Sequence, residues 1–241
     1  MKNVRIWMWG LTALLMTSLL ACENKDDNVP AEVFIVSDFE NSTDGWTGFA
    51  EYSTSMEGDM EFDLTRTNLP APLDQDRMAM KIEGRNLSDN MFMFMKKKID
   101  GLDPDLTYEV VYQIDLASNY RTNSVGIGGS PATSVWVKGG ASPDEPVKYL
   151  ENDYYYITID KGVQSQGGSE MHVLGHVGVG EDINEYRIIE RNNVQNPVLV
   201  KPNDNGELWL CVGTDSGFEG KTILYYDDIE VSIRPVNSGS L

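Results

Sequence analysis

From residue 33 onward the chain is written in short runs rich in β-branched and aromatic residues, separated by Gly, Pro, Asn, Asp and Ser: 33–39, 78–82, 91–99, 108–116, 134–138, 154–159, 186–189, 208–212 and 222–233. In 108–116, Tyr108, Val110, Tyr112, Ile114 and Leu116 fall on one face and mostly polar residues on the other. Side chains alternate along a strand, so this spacing predicts a strand packed on a core along one side and wet on the other. No stretch keeps apolar positions at helical spacing without a Gly, Pro or β-branched interruption. The pattern predicts an all-β fold, a jelly-roll β-sandwich built as a single domain over 32–235, with a short tail at 236–241. The Gly-rich pieces 126–131 and 164–169 read as loops at the sandwich ends. No sequence unit recurs at a fixed period, which argues against a solenoid or propeller.

The beginning of the chain has a different pattern. Lys2 and Arg5 precede an apolar run that ends in Leu19-Leu20-Ala21-Cys22, the layout of a charged region, an apolar region and a small-residue cleavage site. The apolar run is short for a spanning helix, and Cys22 is followed at once by the polar run 23–28. This segment resembles the lipobox of bacterial lipoproteins. The resemblance implies a signal peptide over 1–21, lipidation of Cys22, and attachment to a membrane through that anchor. Each buried acyl methylene adds about 0.8 kcal/mol, so several chains on one cysteine hold stably. The polar run makes 22–31 a solvated tether. It is similar to the acidic tethers of Bacteroidota-type surface lipoproteins, which implies a lipid-anchored protein of the cell outer membrane, exposed at the cell surface.

The chain carries 38 acidic against 19 basic residues, a net charge of -19, and loss of Lys2 and Arg5 with the leader takes it to -21. Such a surface repels phosphate backbones, so nucleic acid is excluded as a partner, while a divalent cation is compatible with it. With Cys22 lipidated, Cys211 has no cysteine left to pair with. It sits in the apolar run 208–212, which predicts a small buried core residue and not a reactive thiol.

Three further segments carry a family resemblance. Phe39-Glu40-Asn41-Ser42-Thr43-Asp44-Gly45-Trp46 closes the first strand, Gly101-Leu102-Asp103-Pro104-Asp105-Leu106-Thr107-Tyr108 introduces a middle one, and Leu224-Tyr225-Tyr226-Asp227-Asp228-Ile229-Glu230-Val231 lies in the last. In order and placement they resemble the opening, the sheet-crossing turn and the closing strand of the galactose-binding-like jelly roll used by carbohydrate-binding modules. The resemblance implies a structural calcium where the first and last strands meet, at Glu40 with Asp227 or Asp228. Calcium takes about six to eight oxygens, which carboxylates and backbone carbonyls at strand ends can supply. The plain alternative is that Asp227 and Asp228 alternate inward and outward on a strand, one of them bonded to a turn. The segment 117–202 matches nothing in the usual module.

Sugar rings lie flat on aromatic faces, so glycan sites need exposed Trp or Tyr beside carboxylates and amides. Tyr154-Tyr155-Tyr156 must point to alternate faces, which leaves at least one looking away from the core. Tyr155 and Trp136 are the candidate ligand-binding residues, and Trp46, Trp209, Tyr225 and Tyr226 are expected in the core.

Catalytic motifs fail inspection. Gly213-Thr214-Asp215-Ser216-Gly217 lacks the longer setting and partner order of a serine-protease loop. His172 and His176 have no Glu suitably placed between them, and Gly175 interrupts a helix there. The Gly-rich run 126–131 has no following helix to receive a phosphate. The expected function is that of a non-catalytic cell-surface lipoprotein binding a polysaccharide or other extracellular polymer. The alternatives are a structural or adhesive component that binds outer-membrane protein partners, and a small carbohydrate-active enzyme.

Overall fold

The computed structural model describes residues 31–88 and 91–236. The leader, Cys22 and most of the tether lie outside the described residues. Fifteen strands follow one another: β1 Val33–Ser37, β2 Thr47–Ala50, β3 Tyr52–Ser53, β4 Asp63–Asn68, β5 Met78–Arg85, β6 Met91–Ile99, β7 Tyr108–Ser118, β8 Val135–Ser142, β9 Lys148–Glu151, β10 Tyr154–Ile157, β11 Met171–His176, β12 Arg187–Asn192, β13 Val198–Val200, β14 Leu208–Ser216 and β15 Lys221–Pro235. Every strand expected from the alternation is present, in an all-β jelly-roll sandwich.

A seven-stranded sheet runs β12-β7-β15-β5-β4, with β1 also on β15 and β13 also on β7. A five-stranded sheet runs β11-β8-β14-β6-β2, and a small sheet runs β3-β10-β9. The last strand changes partners along its length. Its first half pairs with β5, its second half with β1, and Asp227 occupies a bulge between Tyr226 and Asp228 where the partners change. A bulge opposes two residues to one, so it can turn both acids to the same side of the sheet.

The main core lies between the two large sheets. Tyr108, Val110, Tyr112, Ile114 and Leu116 of β7 are buried in it, as their spacing predicts, with Met91, Met93 and Met95 of β6 and Leu208, Leu210 and Val212 of β14 opposite. Trp46 is buried here too, its indole N–H donating to Ser37 Oγ at 3.0 Å. One side chain ties the sheets together through the core. The Tyr112 hydroxyl, from β7, donates to the Gly140 carbonyl of β8 at 2.6 Å and accepts from the Cys211 amide of β14 at 3.2 Å. Gly139 makes room for it, since a Cβ there would meet the Tyr112 ring at 2.9 Å.

The near-continuous apolar run in β6 has a second consequence. Phe92 and Phe94 point away from the main core, yet both are fully buried. With Cys211, Met171, Ile157 and Ile159 they form a second core on the outer face of the five-stranded sheet. Cys211 is thus a buried residue as expected, and burial pushes its thiol well above the ordinary range.

Candidate functional site

What buries that outer face is the segment 143–171, through Ile157, Ile159 and Met171. It is pinned to the sheet at two lysines. Lys96 Nζ donates to Glu145 Oε1 at 2.6 Å and to the Pro146 carbonyl at 2.7 Å, and lies 5.1 Å from the centre of the half-buried Trp209 ring. Lys138, 0% exposed, donates to Asp215 Oδ2 at 2.9 Å and to the carbonyls of Lys161 and Gln166 at 2.7 and 3.1 Å. The network continues through Lys161, whose Nζ is 3.2 Å from Glu51 and 3.5 Å from Asp215. Glu51 in turn accepts the Ile157 amide at 2.8 Å. Burial is the main reason that the Lys138 pKa is lowered and the Glu51 pKa raised. A buried ion costs several kcal/mol unless paired and hydrogen-bonded, and here each charge has such partners.

The small sheet grows out of the same segment. β9 and β10 are joined by Asn152 and Asp153, both at positive φ (50° and 60°). Two central residues of that kind make the tight turn whose twist matches a hairpin. The hairpin sets Tyr156 directly opposite Tyr149. Tyr149, Tyr156 and Tyr154 therefore share one face, with ring centres 5.7 Å apart for the first pair and 4.6 Å for the second. Tyr149 is 41% exposed and its two neighbours are half-buried. At the inner end of this row Tyr154 comes near enough to Glu51 and Asp215 that their charges, after burial itself, raise its pKa. An aromatic row thus runs inward from the exposed Tyr149.

Of the two expected ligand-binding residues, Tyr155 takes the opposite face of the small sheet. Its ring lies 5.0 Å from Tyr52, under Lys148 Nζ at 4.3 Å, and is half-buried against the main core. Trp136 is half-buried on β8, edge-on to His176 at 6.0 Å. Among the described residues no ring contact joins Trp136 to Tyr155 or to the tyrosine row. Trp46 and Tyr226 are core residues as expected, whereas Trp209 and Tyr225 are half-buried outside the main core.

The acids of the end strands do meet. Glu40 and the buried Asp227 converge on Arg77, with Nε 3.8 Å from Glu40 Oε1 and Nη1 3.1 Å from Asp227 Oδ2. Asp228 lines a shallow recess on the outer face of the seven-stranded sheet with Gln113, Asp115 and Glu230. Among the described residues, no group of three or more His, Cys, Asp or Glu side chains is disposed to hold a metal ion. Burial, and then the charges of Glu230, Asp115, Asp227 and Asp38, raise the Asp228 pKa from 3.8 to about 6.

Because that folded value lies above the unfolded one, the folded state holds the proton more tightly, and stability falls as pH rises from about 4 to about 6. Asp228→Asn removes the penalty. After allowance for solvent screening it should stabilise the protein by about 1 kcal/mol above pH 6 and flatten the melting temperature between pH 4 and 6. Equal melting curves for the two proteins at pH 7.5 would count against this account.

No family model matches the chain, and no curated protein matches it. Solved structures similar to it include a carbohydrate-binding module studied for specific mannan recognition, at 12% identity, covering 85% of this chain and 99% of that one with a TM-score of 0.40. Another is a carbohydrate-binding module specific for non-crystalline cellulose, at 11% identity, covering 83% of this chain and 92% of that one with a TM-score of 0.38. A third, solved in complex with β-1,4-galactotriose, is 11% identical, with coverage of 77% and 86% and a TM-score of 0.33.

Sequence reasoning missed Tyr149 as the partner of Tyr156 and the whole Lys138 network. The first had a local signal: the two-residue turn Asn152-Asp153 between two tyrosine-bearing runs fixes which residues face each other. The second had none, because Glu51, Lys138, Lys161 and Asp215 lie far apart in the chain and meet only after the segment 143–171 has crossed the sheet.

Proposed function

We propose that the protein is a non-catalytic lipoprotein of the outer membrane, anchored by acyl groups on Cys22 and displayed at the cell surface, that binds a polysaccharide along Tyr149, Tyr156 and Tyr154. One observation carries the reading: three tyrosines stand in a row on one face of the small sheet, and the row starts in solvent. The exposed ring of Tyr149 suits the apolar face of a sugar ring. The net charge of -19, with exposed Glu151 and Asp153 beside the row, favours a neutral glycan over a sulfated or uronic one.

Affinity electrophoresis in gels containing neutral polysaccharides, backed by a glycan array, tests this. The protein should be retarded, and Tyr149→Ala with Tyr156→Ala should weaken binding by about tenfold or more, since a loss of ~1.4 kcal/mol is a factor of ten. The melting temperature should fall only a little, because neither ring belongs to either of the two cores. No retention on any glycan would overturn the proposal. Mass spectrometry of the membrane-extracted protein should find acyl groups on residue 22 and no residues 1–21; an unmodified thiol there would remove the anchor.

A further inference from the structure

The jelly-roll resemblance implies a calcium ion tying the first strand to the last, and the residues at that junction do not fit one. Cation ligands there would be the carbonyls of the opening turn and the carboxylates of Glu40 and Asp227. The two carbonyls nearest Glu40 already accept from a guanidinium: Arg66 Nε donates to the Phe39 carbonyl at 2.5 Å, and its Nη2 donates to the Glu40 carbonyl at 2.6 Å. Glu40 Oε1 accepts the Met78 amide at 3.3 Å and faces Arg77. Asp227 has Arg77 at 3.1 Å. The two carboxylates face a guanidinium, and among the described residues no third acid joins them, which suits poorly an ion that requires about six to eight oxygens.

We infer that Arg66 and Arg77 replace the divalent cation, so that two guanidinium groups, and no metal, join the opening turn to the closing strand. The division of labour follows from the chemistry of the group. A guanidinium is a permanent, planar cation with several donors. Arg66, projecting from β4, holds the turn after β1 by two carbonyls. Arg77, just before β5, neutralises Glu40 from that turn and Asp227 from β15. The second tie sits at the bulge where β15 exchanges β5 for β1, the point at which ladder hydrogen bonds are interrupted. Asp227 is only 1% exposed and neither of its oxygens has an aligned hydrogen bond; burial raises its pKa, and Arg77, 3.1 Å away, is the charge that opposes the rise.

Thermal melts of the protein in EDTA and in millimolar calcium test the replacement. The melting temperature should agree within about 1 °C in the two conditions. Arg77→Ala should lower it by about 5 °C or more, since it strands a buried carboxylate. Arg77→Ala combined with Asp227→Asn should recover at least half of that loss, which distinguishes charge replacement from lost packing. A fall in melting temperature in EDTA that calcium reverses would show a resident cation and overturn the inference. An Arg77→Ala protein as stable as the parent, or a double variant no better than Arg77→Ala, would overturn it equally. Should Arg77→Ala fail to fold, the EDTA and calcium melts of the parent and of Asp227→Asn decide alone: either one responding to calcium overturns it. These outcomes are independent of glycan retention, so the two proposals fail separately.

Discussion

Replacing Lys138 with methionine is expected to lower the unfolding free energy by about 3–5 kcal/mol, the cost of removing one partner from a buried ion pair. Methionine keeps most of the stem's packing and removes the charge together with all three donated bonds. Asp215 is left with the Gln164 amide at 2.8 Å and Lys161 at 3.5 Å, and the carbonyls of Lys161 and Gln166 lose their donor. Urea denaturation should show a lower midpoint. Hydrogen exchange should quicken first over 161–170, because Lys138 pins that loop to the sheet. Changing Asp215 to Leu in the same protein should return part of the loss, since a buried charge without its partner costs more than an apolar replacement of both. An unaltered midpoint for Lys138→Met would mean that the network carries little of the stability.

Tyr112 is the second position where a single change should be felt throughout the body. Truncation to alanine should cost about 3–5 kcal/mol, as for other large buried aromatic residues. Tyr112→Phe isolates the hydroxyl and should cost about 1–3 kcal/mol, because the Gly140 carbonyl and the Cys211 amide lose a partner that no water can replace inside the core. Equilibrium unfolding of the two variants separates ring from hydroxyl. If Tyr112→Phe matched the parent, the tie between the sheets would be incidental to stability.

These two residues show where legibility stopped. Tyr112 was readable as an inward side chain because it shares the period-two face of β7 with Val110 and Ile114. That its hydroxyl crosses to the opposite sheet was not, since the landing site at Gly140 and Cys211 depends on how the sheets face each other. Lys138 falls in an expected strand, but the pattern carries no sign of its burial: on the outer face of a sheet a lysine is ordinarily solvated, and only the segment 143–171 makes it internal. The same segment explains why the run in β6 is apolar on both faces. Among the expected site residues, alternation makes the triple tyrosine two-sided, while the choice between Tyr155 and its neighbours rests on which face the small sheet turns toward the body.

Alternation of apolar and polar side chains, with turn residues between, was by itself enough to determine an all-strand sandwich, its main strands and the buried state of Cys211, because strand period and burial are local consequences of side-chain direction. Which carboxylates meet which cations was settled only by tertiary structure. Arg77 between Glu40 and Asp227, Lys138 beside Asp215, and Tyr149 beside Tyr156 depend on strand register, on a bulge and on one crossing segment. Those are fixed by packing among residues distant in the chain, where sequence spacing carries no information about distance.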